Sequence, residues 1–225
     1  MKHLLDNVLW NCLSGPHSRF AVGTATARRY APGFSPIVGF ATPHQPDFAA
    51  LAPYCELGEH FYCDDWSGPA PDGWQVEFES TMFKLVWEGE TPEVDDVPEA
   101  VALEAEHAEQ ALELATLTHP GPFGLRTLEL GEYFGIFEDE RLVAMAGERF
   151  QAGPFREISG VCTRPEFQGR GHARRLMRKL ILRQLERGET PFLHVMHDNL
   201  LARGLYERMG FVYYRESVVR VVARS

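Results

Sequence analysis

The feature that most constrains this chain is a glycine-rich turn set between a strand pattern and a helix pattern. Gln168-Gly169-Arg170-Gly171 follows an alternating run at Arg156–Thr163 and leads into a helical one from His172 to Arg187. That helix carries its apolar stripe on Ala173, Leu176, Leu180 and Ile181, and Gly188 supplies a C-terminal stop. A strand (Phe192–His197), a helix capped by Asn199 and stopped by Gly210 (Asn199–Met209), and a last pair of strands (Phe211–Tyr214, Ser217–Val222) complete the order. A turn of this kind presents unpaired backbone N–H groups and the positive end of the helix dipole, which suits a phosphate or pyrophosphate. Gly169 and Gly171 let the backbone approach an anion with no Cβ in the way, and Arg170, Arg174 and Arg175 add charge. It is no Walker A loop, since no Gly-Lys-Ser/Thr follows, and it is not GxGxxG.

Upstream the chain reads as an antiparallel meander. Glu132–Glu138, Leu142–Phe150 and Arg156–Thr163 are strands, separated by Asp139-Glu140 and Ala152-Gly153-Pro154. Val76–Trp87 is an earlier strand and Glu88–Val97 an acidic linker. Pro98 is expected to open a helix to about Leu117, burying Val101, Ala105, Ala108, Leu112 and Ala115 and ended by Pro120-Gly121-Pro122. Residues 1–75 are broken by Ser14-Gly15-Pro16, Pro32-Gly33 and Ser67-Gly68-Pro69. They read as short strands, such as Ser18–Gly23 and Ile37–Ala41, and two short helices, Leu4–Leu13 and Pro46–Cys55.

A chain of 225 residues can form one large domain or two small ones. Its 44% hydrophobic and 24% charged residues exclude disorder and low complexity. No apolar run approaches the roughly 18 residues that span a bilayer. The opening MKHLLDNVLW, with Asp6 inside a short apolar patch, is not read as a secretory signal, so a cytoplasmic protein without membrane attachment is expected. Cys12, Cys55, Cys63 and Cys162 show no CxxC and are expected to be reduced and mostly buried. The net charge of −10 divides into −3 over residues 1–75, −11 over 76–124 and +4 over 125–225. That balance argues against nucleic acid as a partner and leaves room for a local anion site in the last hundred residues.

Two motifs in register carry a resemblance. Gln168-Gly169-Arg170-Gly171-His172-Ala173 fits the Q/R-x-x-G-x-G/A signature of the GNAT acyl-CoA N-acyltransferases, with Ala in the last position. Asn199, Ala202, Tyr206, Gly210 and Phe211 fit the family's second signature, N-x-x-A-x-x-x-Y-x-x-x-G-F. Val161-Cys162-Thr163-Arg164-Pro165 is similar to the family's approach to the turn. The resemblance covers about Gln75 to Val222. It implies an α/β (α+β) GNAT fold: a central mixed, mostly antiparallel sheet flanked by helices over residues 76–225, with a smaller N-terminal α/β portion over 1–75. Asn7, Trp10, Leu13, Gly15 and Pro16 resemble the opening of a group of bacterial predicted acetyltransferases with such an extra portion. In some relatives it is a degenerate copy of the fold. Its expected work here is packing, or forming one wall of the acceptor site.

The resemblance also implies roles. Acetyl-CoA would be the co-substrate, its pantetheine amides pairing with the Val161 and Thr163 backbone. Its pyrophosphate would rest on the turn from Gln168, Gly169, Arg170, Gly171, His172 and Ala173 to Arg174, and Asn199 would reach its reactive end. Asn199 also suffices as a plain helix cap. Tyr206, two helical turns from Asn199 on the same side, would protonate the departing thiolate; the alternative is a core phenol. Glu157 is the candidate base, Glu148 the second choice and solvent a third, with a surface strand carboxylate as the alternative for Glu157. The need is real for a lysine-like amine: at pH 7 freeing it costs about 4.6 kcal/mol, against about 1.4 kcal/mol for an α-amine.

No metal is expected. His194, His197 and Asp198 resemble a cluster, but strand histidines three apart point to opposite faces. No G-x-S-x-G elbow supports a Ser-His-Asp reading. Ten carboxylates between Glu88 and Glu113, with no Lys or Arg among them, suggest a cationic small-molecule or peptide amine acceptor; a solvated helix face explains them too. The leading expectation is a direct-attack N-acetyltransferase acting as a monomer or homodimer. A non-catalytic acyl-CoA sensor or scaffold on the same fold is the alternative.

Overall fold

The computed structural model describes residues 1–92 and 97–225. Glu93, Asp95 and Asp96 of the acidic linker lie outside them. In chain order the elements are α1 (Val8–Ser14), β1 (Ala21–Gly23), β2 (Ala27–Tyr30), β3 (Val38–Phe40), α2 (Phe48–Leu51), β4 (His60–Asp64), β5 (Trp74–Trp87) and β6 (Val101–Ala102). Then come α3 (Ala108–Thr118), β7 (Tyr133–Glu138), β8 (Arg141–Ala152), β9 (Phe155–Thr163), α4 (His172–Glu186), β10 (Thr190–Met196), α5 (Leu200–Arg208) and β11 (Phe211–Arg224). Strands β1, β2 and β3 form a small sheet, and the other eight form one large sheet in the order β4-β11-β5-β10-β9-β8-β7-β6. Every pairing in the large sheet is antiparallel except β9 with β10, so the expected mixed, mostly antiparallel sheet is present.

Local chemistry explains the meander. Asp139 and Glu140 both take positive φ, 47° and 63°, as a two-residue hairpin turn between right-twisted strands requires. Alternation then sorts the side chains. Ala144 and Ala146 of β8 join Leu193 and Val195 of β10 in a cluster under α4 and α5, whereas Met145 packs on the other face with Ala111, Leu114 and Ala115 of α3. Phe192, Phe150 and Phe155 also face away from α4, into a cluster with Leu5, Val8, Leu9 and Cys12 at the N-terminus. The N-terminal segment therefore shares its core with the large sheet.

Two expectations are corrected. The helix does not start at Pro98. Val101–Ala102 pairs as β6 with β7, Leu103 N–H donates to Tyr133 O at 2.8 Å, and a 3-10 turn at Ala105–His107 precedes α3. Covering the sheet edge outweighs the helix-start signal of proline, and the later start rotates the stripe: Ala111, Leu114 and Ala115 are buried and Val101 is exposed. The last two strands are a single one. β11 bends at an irregularity between Tyr213 and Arg215, because 14-residue β5 runs alongside it from Trp87 opposite Phe211 to Trp74 opposite Arg224. No helix among the described residues is long and apolar enough to cross a membrane.

Candidate active site

Strands β9 and β10 are bonded only from Thr190 opposite Phe155 to Phe192 opposite Glu157; beyond that pair they part. The parting leaves the β10-facing edge of β9 from Ile158 onward free of a strand partner. On its other edge β9 is irregular. Gly147 of β8 opposes Ser159 and Met145 opposes Cys162, so β9 carries one extra residue at Gly160–Val161, with Gly160 at φ +63°. A bulge of this kind re-aims the backbone and withdraws it from the ladder.

The gap opens into a cleft of ≈ 600 Å³, a size that suits a small-molecule site. One wall is β9 and β10, with Glu157, Val161, His194 and Met196; Asn199 and Tyr206 of the α5 region close one part of it. Leu9, Ile37, Tyr62 and Asp64 line it from the N-terminal third, and the loop His119–Pro122 after α3 borders it as well. None of the described carboxylates of the acidic run lines this cleft. Glu113 is instead paired with Arg164 at 2.6 Å, and Glu99 with Arg175 at 2.7 Å. The cleft's own carboxylates are Asp64, Glu77 and Glu157.

Beyond β9, Gly169 and Gly171 take φ of +78° and +80°, and a Cβ on either would meet no protein atom within 4 Å. The left-handed turn therefore serves the backbone's path and exposure, with no packing reason to exclude a side chain. The first helical bond at this end of α4 runs from Arg175 N–H to Gly171 O at 3.1 Å, so the amides of His172, Ala173 and Arg174 are the unpaired donors of its N-terminus. Gln168, Arg170 and Arg174 are exposed, and Gln168 Nε2 donates to Thr163 O at 3.3 Å. Arg170 lies over the Phe167 ring at 4.7 Å. His172 is buried with neither ring nitrogen bonded. Thr163 Oγ1 is likewise buried without a partner. The unpaired amides and unfilled Cβ positions fit a diphosphate, and the free edge of β9 at Val161 fits an extended amide-bearing arm.

Tyr206 packs edge-on to Phe211, ring centroids 6.1 Å apart, and lines the cleft. Its hydroxyl has no bonded partner among the described residues. Burial pushes its pKa up to about 12, with the Cys162 sulfur adding to the rise. Asn199 caps α5 by accepting from Ala202 N–H at 3.1 Å and also lines the cleft, so cap and site position coexist.

Glu157 is buried and fully engaged. Arg149 donates from Nε to Oε2 and from Nη2 to Oε1, both at 2.9 Å; Phe150 N–H donates to Oε2 at 3.3 Å. The ring of His194 closes the fourth contact, Nδ1 to Oε1 at 2.6 Å. Burial raises the carboxyl, but the Arg149 guanidinium and the His194 N–H outweigh it and hold the pKa at about 2. Such a carboxylate has neither the basicity nor a free oxygen to take a substrate proton. Glu148 does not reach the cleft: it points to α4, where Gln184 donates to it at 3.0 Å and Arg187 forms a second, very short contact.

Two cleft residues, Arg149 and Asp64, escape the sequence reading, and a third, His194, enters it only as a rejected metal ligand. Arg149 enters through an irregularity of β8 between Glu148 and Gln151. His194 shares the face of Phe192, a period-2 signal present in the sequence, but the register that brings Glu157 to it is not. Asp64 comes from the distant N-terminal third, and its Oδ2 is buried without a partner. Burial lifts its pKa to about 6, with Lys84 pulling the other way.

The fold is shared with known proteins. A family model described as FR47-like protein matches residues 133–221. The fold superposes on the crystal structure of a GNAT-family protein from Novosphingobium aromaticivorans DSM 12444, assigned as an acetyltransferase, with a TM-score of 0.91 and 36% identity over 99% of each chain. A GCN5-related N-acetyltransferase-like protein from Streptococcus suis 89/1591 shares the fold at TM-score 0.61 and 19% identity, over 95% of this chain and 92% of that one. A GCN5-related N-acetyltransferase from Kribbella flavida does so at TM-score 0.62 and 15% identity, over 97% and 96%. No curated protein matches the chain.

Proposed function

The chain belongs to the GNAT family, and on that premise we propose that it is an acyl-CoA-dependent N-acetyltransferase, moving an acetyl group from acetyl-CoA to a primary amine with both substrates bound together. One observation carries the reading: the parted β9 and β10 lead to a left-handed glycine turn at the N-terminus of α4, and Tyr206, whose hydroxyl has no internal partner among the described residues, lines the same cleft. The amides of Gly169 to Arg174 would hold the diphosphate, and the free edge of β9 at Val161 the amide-bearing arm. The irregular backbone at Gly160–Val161 would supply N–H donors to the carbonyl oxygen as it becomes negative. Tyr206 would give its proton to the departing sulfur, and binding both reactants in one cleft makes the attack effectively intramolecular.

The test is thiol release from acetyl-CoA across a panel of amines. Turnover with at least one primary amine supports the enzyme. Saturable binding of acetyl-CoA with no turnover on any amine would overturn it in favour of a sensor.

The turn makes a sharper expectation. Gly171→Ala forces a Cβ into a φ of +80° and places it where the diphosphate approaches. Strain of about 1–2 kcal/mol follows from the handedness alone, and CoA affinity should fall about tenfold, equivalent to 1.4 kcal/mol. Calorimetric titration with CoA checks it; unchanged affinity would move the diphosphate elsewhere.

The acceptor is proposed to be cationic, supported by Asp64 and Glu77 on the cleft wall. Asp64→Asn should raise KM for diamines by roughly tenfold, as expected when one charge-assisted contact is lost, and leave uncharged-tail amines unaffected. Equal effects on both classes would remove Asp64 from acceptor recognition.

A further inference from the structure

We propose that His194 is the proton acceptor of this cleft, its bare Nε2 taking the proton of the attacking amine, with Glu157 as the positioning residue behind it. The inference rests on the N-acetyltransferase reading and deepens it.

The geometry sets the tautomer. Both oxygens of Glu157 already accept from Arg149, and the oxygen facing His194 is 2.6 Å from Nδ1. A carboxylate oxygen can only accept there, so Nδ1 carries the ring proton and the neutral ring presents a lone pair at Nε2. That atom is buried, has no partner among the described residues, and belongs to a side chain on the cleft wall. A buried acceptor left unmatched by the fold is uncommon, and a substrate N–H is the partner this one lacks. The nucleophile–base–orienter pattern known from other enzymes appears here with substrate amine, His194 and Glu157.

The charges around the ring favour its neutral form. Glu157 on β9 favours protonation; Arg149 on β8 and Lys84, the cross-strand partner of His194 on β5, oppose it. Lys84 donates its Nζ to Leu5 O. Tyr62, Cys63, Asp64, Glu77, His119 and Tyr206 are the other titratable groups on the cleft wall. Burial is the largest influence and lowers the pKa of the ring below its usual value, so it is neutral at pH 7.

The acceptor loses its first proton to water and enters as a neutral amine. Its lone pair forms the N–C bond to the thioester carbonyl carbon, and the nitrogen, now positive and far more acidic than a free ammonium, passes a proton to His194 Nε2. The C–S bond breaks with its electron pair going to sulfur, which takes the proton of Tyr206. The imidazolium and the phenolate then lose and gain one proton through water.

The experiment has two arms. In the first, ring-nitrogen NMR of uniformly labelled wild-type protein at pH 7 should find His194 protonated on Nδ1 and bare on Nε2; a proton on Nε2 overturns the proposal without any variant. In the second, His194→Gln should lower kcat by roughly 10²–10⁴-fold, the usual worth of a general base, with CoA affinity unchanged. The acid limb of kcat/KM, expected below about pH 6.5, should disappear in the variant. A His194→Gln enzyme that keeps both its kcat and that limb overturns the assignment and leaves the acetyltransferase intact. A wild-type enzyme that acetylates no amine overturns both.

Discussion

Tyr206→Phe is expected to lower kcat between ten- and ten-thousand-fold, roughly the range for loss of a general acid, while acetyl-CoA binds almost as before. The ring stays, with its edge on Phe211 and its place in the core under α4; only a hydroxyl without an internal partner is removed. Stability should therefore change little, which separates a chemical role from a packing one. With a pKa of about 12, the phenol lies about 3.5 units above a thiol near 8.5, so transfer to a thiolate that has already departed would be uphill by about 4.8 kcal/mol, and transfer to the sulfur before C–S cleavage far more so. Proton delivery must accompany departure of the sulfur. The same value keeps Tyr206 protonated through pH 10, so it should place no basic limb on kcat between pH 7 and 10. Full kcat in the Phe variant, or a basic limb that vanishes with the hydroxyl, would contradict this role.

Signals that act over a few residues were legible in the sequence. Asp139-Glu140, Gly153, Gly171, Gly188 and Asn199 punctuate the chain where β7–β8, β8–β9, α4 and α5 begin or end, and each works through its own backbone or nearest neighbours. Tyr206 and Val161 were legible for the same reason, as parts of motifs spaced along one helix and one strand. Pairings between remote segments were not. Nothing local tells β5 to lie between β10 and β11, or Val101–Ala102 to cover β7 in place of extending α3. The role of Glu157 depended on such a pairing. As a lone strand carboxylate it reads as a base; opposite Phe192, with a β8 irregularity delivering Arg149 and β10 delivering His194, it is a saturated acceptor. The acidic run, over its described residues, does not supply the cleft's carboxylates. Its described carboxylates include partners of Arg164 and Arg175, whereas the cleft draws Asp64 and Glu77 from β4 and β5.

Glu157→Gln should be among the most destabilising single changes in the chain, by about 3–5 kcal/mol, because it leaves the buried Arg149 guanidinium without its counter-charge. The amide cannot be turned to escape. With its nitrogen at the Oε1 position it faces Arg149 Nη2 and His194 Nδ1; at the Oε2 position it faces Arg149 Nε and the Phe150 N–H. Either way two donors meet a donor. For a domain of this size a loss of that order corresponds to about 6–20 °C in Tm. The pH dependence follows from the lowered pKa. The folded carboxyl titrates at about 2 against an ordinary 4.5, so its contribution is fully present above pH 4.5 and is lost as pH falls toward 2. The gap in Tm between wild type and Glu157→Gln should therefore be widest above pH 4.5 and narrow steadily below it. Thermal scans of both proteins from pH 7 down to the lowest pH at which wild type still unfolds reversibly would measure this, and a gap independent of pH would show that the carboxylate's charge is not what holds Arg149 in place.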